Sequence, residues 1–169
     1  MTLRLNALEI VRCWFPEGHG HGDPSKPSAR LHRVIVVRTT HEADGSQWVT
    51  VVFGTSQNTT EKEGPPCEAN QIEIDALPET GLTAQTRFHF DKSVGIKVED
   101  TWFPTDFKGL ARGRVPQGQK SDVLRLIDKY LPMKTTASPR LAAPEPVRVE
   151  VKKKFTKANL LPKQPPADS

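Results

Sequence analysis

Residues 48–57, WVTVVFGTSQ, decide how the fold is read. Trp48 to Phe53 are of types that suit a pleated, half-buried surface. They run straight into Gly54, Thr55, Ser56 and Gln57. Gly54 lets the backbone bend or be approached closely. The strand therefore ends by presenting two hydroxyls and an amide side chain together, polar groups held at the end of a rigid element. An ordinary polar turn accounts for the same four residues, since Gly, Ser and Thr are common in turns. On these ten residues alone the turn is the favoured reading.

Upstream, HEADGS at 41–46 contains Asp44-Gly45, a hairpin signal. It folds residues 31–39, LHRVIVVRT, back as an antiparallel partner. Val34 to Val37 are continuously apolar, which predicts a central strand covered on both faces. Alternation places Arg30 and His32 on one face and Arg33 on the other. Residues 8–15, LEIVRCWF, form a first strand that stops at Pro16. Between these strands lies EGHGHGDPSKPS, 17–28, a loop of structure-breaking residues. His19 and His21 flank Gly20, but no third or fourth ligand stands at a recognisable spacing, which argues against a metal site.

Downstream, residues 58–70 make a second polar loop around Gly64-Pro65-Pro66. QIEID, 71–75, alternates, with Ile72 and Ile74 inward and Glu73 and Asp75 outward. The chain turns through Gly81. TRFHF, 86–90, and SVGIKV, 93–98, read as two short strands around Asp91-Lys92, and 101–114 holds a short helical turn. At 121–131, Val123, Leu124, Leu126, Ile127, Tyr130 and Leu131 give a broad apolar face at helical spacing. Ser121 is placed to cap this helix, Asp122 to favour its dipole and Pro132 to stop it. Such a helix packs on the sheet.

Residues 134–169 differ in composition. They hold six of the 15 prolines, and eight basic side chains against three acidic ones. The first 133 residues are close to neutral, so the overall +4 charge belongs to the tail. The expected division is a folded domain at 1–133 and a Pro-rich, basic, disordered tail at 134–169. Within the tail, 147–155 alternates apolar and charged residues and is the piece suited to ordering on a partner. A basic tail can hold a polyanion by counterion release, though such tails are also commonly just solvated. No run of 18 apolar residues predicts a membrane span, and the N-terminus lacks a signal-peptide pattern. Two cysteines, Cys13 and Cys67, make no disulfide framework, so a cytoplasmic location is expected.

Short strands first and one helix last predict a mainly β fold, a small, strongly bent antiparallel β-barrel with a C-terminal helix across it. The order of motifs carries a more specific resemblance. Phe15-Pro16 ends the first strand, a Gly/Pro-rich loop leads to a basic residue before VIVV, and the next strand ends in GTSQ. An IEI strand, the Gly81-Leu82 turn, TRF and the amphipathic helix follow. From about residue 7 to 131 the chain resembles the PemK/MazF family of toxins, particularly its PemK-like members with a GTSQ strand end.

The resemblance implies a homodimer that binds single-stranded RNA and, in active members, cuts it without metal or cofactor. The ribose 2′-hydroxyl attacks the adjacent phosphorus, leaving a cyclic phosphate and a 5′-hydroxyl. That chemistry needs a base, an acid, and donors or a cation on the phosphorane. The family supplies these from an arginine in an Arg-Pro pair opening the second strand and a threonine ending the third. Thr55 matches the threonine, with Ser56 and Gln57 beside it as substrate-binding groups. His32-Arg33 stands where Arg-Pro is expected. His32 can move a proton near neutral pH but cannot replace the bidentate phosphate contact of arginine. Arg30, on its face, is the candidate to supply the charge. Arg33 and Arg87 are further cation candidates. A solvated basic strand start explains the same residues without function. The implied function is an endoribonuclease acting as the toxin of a toxin–antitoxin pair. The alternative is a catalytically inactive phage or mobile-element module that captures a host protein or nucleic acid. Gyrase poisoning, as in the related CcdB barrel, is a third class without specific support in these residues.

Overall fold

The computed structural model describes residues 2–16, 25–132 and 148–149. Seven strands form one sheet: β1 (Glu9–Cys13), β2 (His32–His41), β3 (Gln47–Thr55), β4 (Gln71–Ile74), β5 (Thr86–Lys97), β6 (Gly113–Arg114) and β7 (Arg148–Val149). Helix α1 (Phe107–Leu110) is a single turn, and α2 (Lys120–Tyr130) is the C-terminal helix. The strand order β4-β5-β3-β2-β1-β6 is antiparallel throughout and curls into a half-barrel. β7 adds to β5 in parallel.

The hairpin forms where Asp44-Gly45 predicts it. Gly45 takes a φ of +81°, a conformation glycine adopts without strain, and the Asp44 carboxylate accepts from the Ser46 amide at 2.9 Å. The hairpin aligns Trp48 with Thr40 and Gly54 with Arg33. Two irregularities bend the sheet. On β2, Val37 has no partner in the register with β3. On β5, Phe90, Asp91 and Lys92 all bulge between the pairs Phe53–His89 and Val52–Ser93. The two short strands expected at 86–90 and 93–98 are therefore one bent strand. Asp91-Lys92 carries turn chemistry, but here it makes a bulge, and the pairing with β3 resumes beyond it.

Both faces of the sheet are covered, as the VIVV run predicts. On one face Val34, Val36, Val51, Val94 and Ile96 pack with Leu5, Trp102, Phe103 and Leu110. On the other, Ile35, Val52, Ile74 and Phe88 pack under Val123, Leu126 and Ile127 of α2. These are called the loop face and the helix face below. Leu124, counted in the apolar stripe, points outward and is 48% exposed. Ser121 does not cap the helix. A 3-10 turn, Gln117–Gln119, leads directly into Lys120, so the capping position falls on Gln119 in helical conformation.

Strand β1 ends at Cys13, earlier than the sequence suggests, although Pro16 still bridges to Pro27. Most of the tail lies outside the described residues. The described pair Arg148–Val149 does not extend away from the domain. Val149 is buried in the loop-face core, and the Arg148 guanidinium lies 5.0 Å from the centre of the Trp48 ring. Both cysteines are free. Among the described residues no helix is long and apolar enough to cross a membrane.

Candidate functional site

The pairing of Arg33 with Gly54 fixes what surrounds the GTSQ end. One step outward, His32 stands across from Thr55, and directly opposite residues in an antiparallel pair share a face. On the other side of β3, Thr55 pairs with Arg87 and Phe53 with His89. The loop face at this end therefore gathers His32, Phe53, Thr55, Arg87 and His89. Arg33 projects from the helix face, as alternation predicts.

Phe53 is the centre of the group. Its ring is 5.2 Å from Phe15, 5.1 Å from His32 and 6.2 Å from His89, measured between centroids. The Lys92 ammonium lies 5.5 Å from the same ring, delivered by the β5 bulge. Phe53 is half-buried, so the apolar loop-face core reaches the surface here among ionisable groups.

The histidines are held in defined orientations. Ser28 Oγ accepts from the Arg30 amide at 3.2 Å and lies 3.3 Å from His32 Nε2. Its own proton is thus available to that nitrogen. Gln71 Nε2 lies 3.3 Å from His89 Nδ1, where an amide donor favours the tautomer with the proton on Nε2. Burial holds the His32 pKa below the ordinary histidine value, and the positive charge of Arg30 lowers it further. His89 is lowered chiefly by burial, with Lys92 adding to the effect. Both imidazoles are therefore mainly neutral at neutral pH, the state in which each can accept a proton, and each gains a proton to give as pH falls.

The Thr55 hydroxyl accepts from the Gln57 amide at 3.1 Å, which shapes the turn and leaves its proton to donate elsewhere. Ser56 is half-buried and Gln57 exposed. Arg30 is exposed and reaches the site through Ser28 and its charge.

Arg87 is placed differently from a substrate-binding cation. It is buried, and its Nε and Nη2 donate to Glu73 Oε1 at 3.0 and 2.7 Å, with Nη2 also on the Pro65 carbonyl. Glu73, expected to face water, is enclosed by this pairing. Burial pushes its carboxyl up, but hydrogen bonds from the Thr60 hydroxyl and amide, together with Arg87, outweigh this and hold it below the usual carboxylate range. Arg87 thus braces the strand opposite Thr55.

His32, Thr55 and Arg30 come together. Arg33 goes to the opposite face, and Arg87 is engaged by Glu73. His89, Lys92 and Phe53 complete the corner and were not singled out from sequence. The alternation of TRFHF does place Arg87 and His89 on one face, which is the available signal. His19 and His21 lie outside the described residues, and among those described no cluster of His, Cys, Asp or Glu is arranged to hold a metal ion. No family model, curated protein or solved structure matches this chain.

Proposed function

We propose that the corner around Phe53 binds single-stranded RNA and cuts it by attack of a ribose 2′-hydroxyl on the adjacent phosphorus. The observation that carries this reading is the placement of two imidazoles, His32 and His89, and the Lys92 ammonium around one aromatic ring, with the Thr55 hydroxyl at the same strand end. One imidazole, neutral, removes the 2′-hydroxyl proton, and the other, in its protonated imidazolium fraction, protonates the departing 5′-oxygen; exchange with water then resets both. Lys92 and Arg30 supply positive charge for the phosphorane, and Thr55 donates to a non-bridging oxygen. Phe53 offers a surface on which a base can stack. The products are a 2′,3′-cyclic phosphate and a 5′-hydroxyl. The resemblance to PemK-like proteins supports the same assignment for Thr55 and His32. It extends the proposal to a homodimeric, cytoplasmic toxin held in check by an antitoxin.

The test is incubation of the purified protein with mixed single-stranded RNA in excess chelator, with the ends of the products identified. Wild type cleaves. Thr55→Ala loses a contact worth ~2–4 kcal/mol in the transition state, if it acts like other preorganised oxyanion donors. His32→Ala and His89→Ala each lower the rate and remove one limb of its pH profile. Cleavage unchanged by all three substitutions would place the activity elsewhere.

A second reading, a binding module without catalysis, is favoured by the engagement of Arg87 with Glu73, which leaves no arginine free directly across from Thr55. RNA retained without cleavage, and released by Phe53→Ala, is the outcome that selects it.

A further inference from the structure

Three arginines of the domain donate to different partners. Arg87 has Glu73. Arg112 has Glu9, donating from Nε and Nη2 to its two carboxylate oxygens at 2.9 Å each. Arg33 has no carboxylate. It is half-buried on the helix face, and its Nη1 donates to the Ala111 carbonyl at 3.2 Å. Its Nη2 is buried and takes no acceptor among the described residues.

Its cross-strand neighbours offer none either. On one side is Gly54, without a side chain and closed over by the Phe88 ring, whose edge lies 2.6 Å from where a β-carbon would stand. On the other, directly opposite on β1, is a second cation, Arg12, itself half-buried and with no hydrogen bond or ion pair among the described residues. Like charges directly opposite each other in a sheet are destabilising, and a buried guanidinium without a counter-charge is costly. Burial first, and the charge of Arg12 second, bring the Arg33 pKa down to about 10. Glu9 and Glu73, two carboxylates enclosed in the sheet, alternate onto the loop face and are committed to Arg112 and Arg87.

We propose that Arg12 and Arg33 form an anion site for a single phosphate group, separate from the Phe53 corner and on the opposite face of the sheet. The two guanidiniums present N–H donors from adjacent strands, and a tetrahedral oxyanion accepts from both at once. Arginine suits such a group because its planar fork stays charged and makes paired hydrogen bonds. Seating the anion requires the Ala111 segment to yield slightly, so that the unpartnered Nη2 gains its acceptor. The phosphate can be free or part of a nucleic-acid backbone, since β2 opens with His32 on one face and Arg33 on the other.

The experiment is thermal unfolding of the full chain in inorganic phosphate against sodium chloride of equal ionic strength. A parallel titration uses a short single-stranded DNA, which lacks the 2′-hydroxyl and cannot be cut by the proposed chemistry. Phosphate raises the melting temperature of the wild type in a saturable way, and Arg12→Gln and Arg33→Gln each abolish the rise. Arg12→Gln is the safer variant, because its removal leaves the Ala111 contact intact. If free phosphate is without effect but the DNA stabilises wild type and not Arg12→Gln, the group recognised is a backbone phosphate. If neither ligand stabilises the wild type, or if the rise persists in both variants, the site is refuted. Arg12→Gln raising the melting temperature in chloride while phosphate does nothing would show the pair to be strain without a ligand. None of these outcomes depends on whether the Phe53 corner cuts RNA.

Discussion

The two ends of β3 are built on different terms. At the hairpin end the buried Gln47 has partners for both ends of its amide. Gln47 donates from Nε2 to the Leu5 carbonyl at 2.6 Å and accepts the Leu5 amide on Oε1 at 3.1 Å, pinning the N-terminal segment with a closed pair of bonds. Trp48 beside it is nearly buried beneath Arg148. At the GTSQ end His32, His89 and Lys92 share the Phe53 ring, and on the opposite face the buried Nη2 of Arg33 has no acceptor among the described residues. The register break between Val52 and Phe53 separates the two ends. One strand thus carries a buried, hydrogen-bonded end and a half-buried end where ionisable groups gather round an aromatic ring, with a bulge in its neighbour marking the change.

The largest expected effect tests whether the GTSQ end needs its brace. Arg87→Met removes the counter-charge of Glu73, which is left with its Thr60 hydrogen bonds, and breaking a buried pair in this way costs about 3–5 kcal/mol. Chemical denaturation should show a loss of that size. A loss under about 1 kcal/mol would mean that the pair behaves as a surface ion pair.

A smaller effect is expected from Gly54→Ala. The new β-carbon would stand 2.6 Å from the Phe88 ring and 2.8 Å from the Arg33 carbonyl oxygen. Overpacking of this kind costs ~1–3 kcal/mol. Because the displaced atoms lie beside Thr55 and Arg33, the proposed cleavage and the proposed phosphate stabilisation should both weaken in the folded variant. A folded variant with both intact would show that the close approach at Gly54 serves packing alone.

The smallest effect is a pH dependence. The folded pKa values of His32 and His89 lie below the ordinary value near 6.5. The unfolded chain therefore binds protons before the folded one does. Stability from these groups is fully present above about 6.5 and is lost as pH falls through the folded values. Melting temperatures measured from pH 7.5 to 5 should decline, and His89→Gln should flatten the decline. An equally steep decline in that variant would assign the pH dependence to other groups.

Much of the architecture can be read from residue pattern because its determinants are local. Asp44-Gly45 sets the hairpin, the VIVV run sets the central strand, and the helical spacing of Val123, Leu126 and Ile127 sets which side of α2 is covered. The neighbourhood of His32 and Thr55 follows from counting outward from the hairpin. What could not be read depends on pairing between distant segments. Asp91-Lys92 carries the same turn signal whether it ends a strand or bulges within one, so the arrival of Lys92 at Phe53 is invisible in sequence. Glu73 alternates as an outward residue, and only the β4–β5 register brings it to Arg87. His89 has no motif of its own and becomes notable only once Phe53 is its partner. The preceding 3-10 turn decides where α2 begins, so capping preference at Ser121 is overridden.

The seating of Arg148 across Trp48 turns one indole into an optical reporter. Trp102 is 1% exposed within the loop-face core. Trp48 owes part of its cover to a side chain more than ninety residues away along the chain. Its emission should shift to the red when β7 leaves the β5 edge and return when the segment is restored. With the half-buried Trp14 replaced by phenylalanine, docking and release of β7 can therefore be followed by intrinsic fluorescence, without a label and without unfolding the domain.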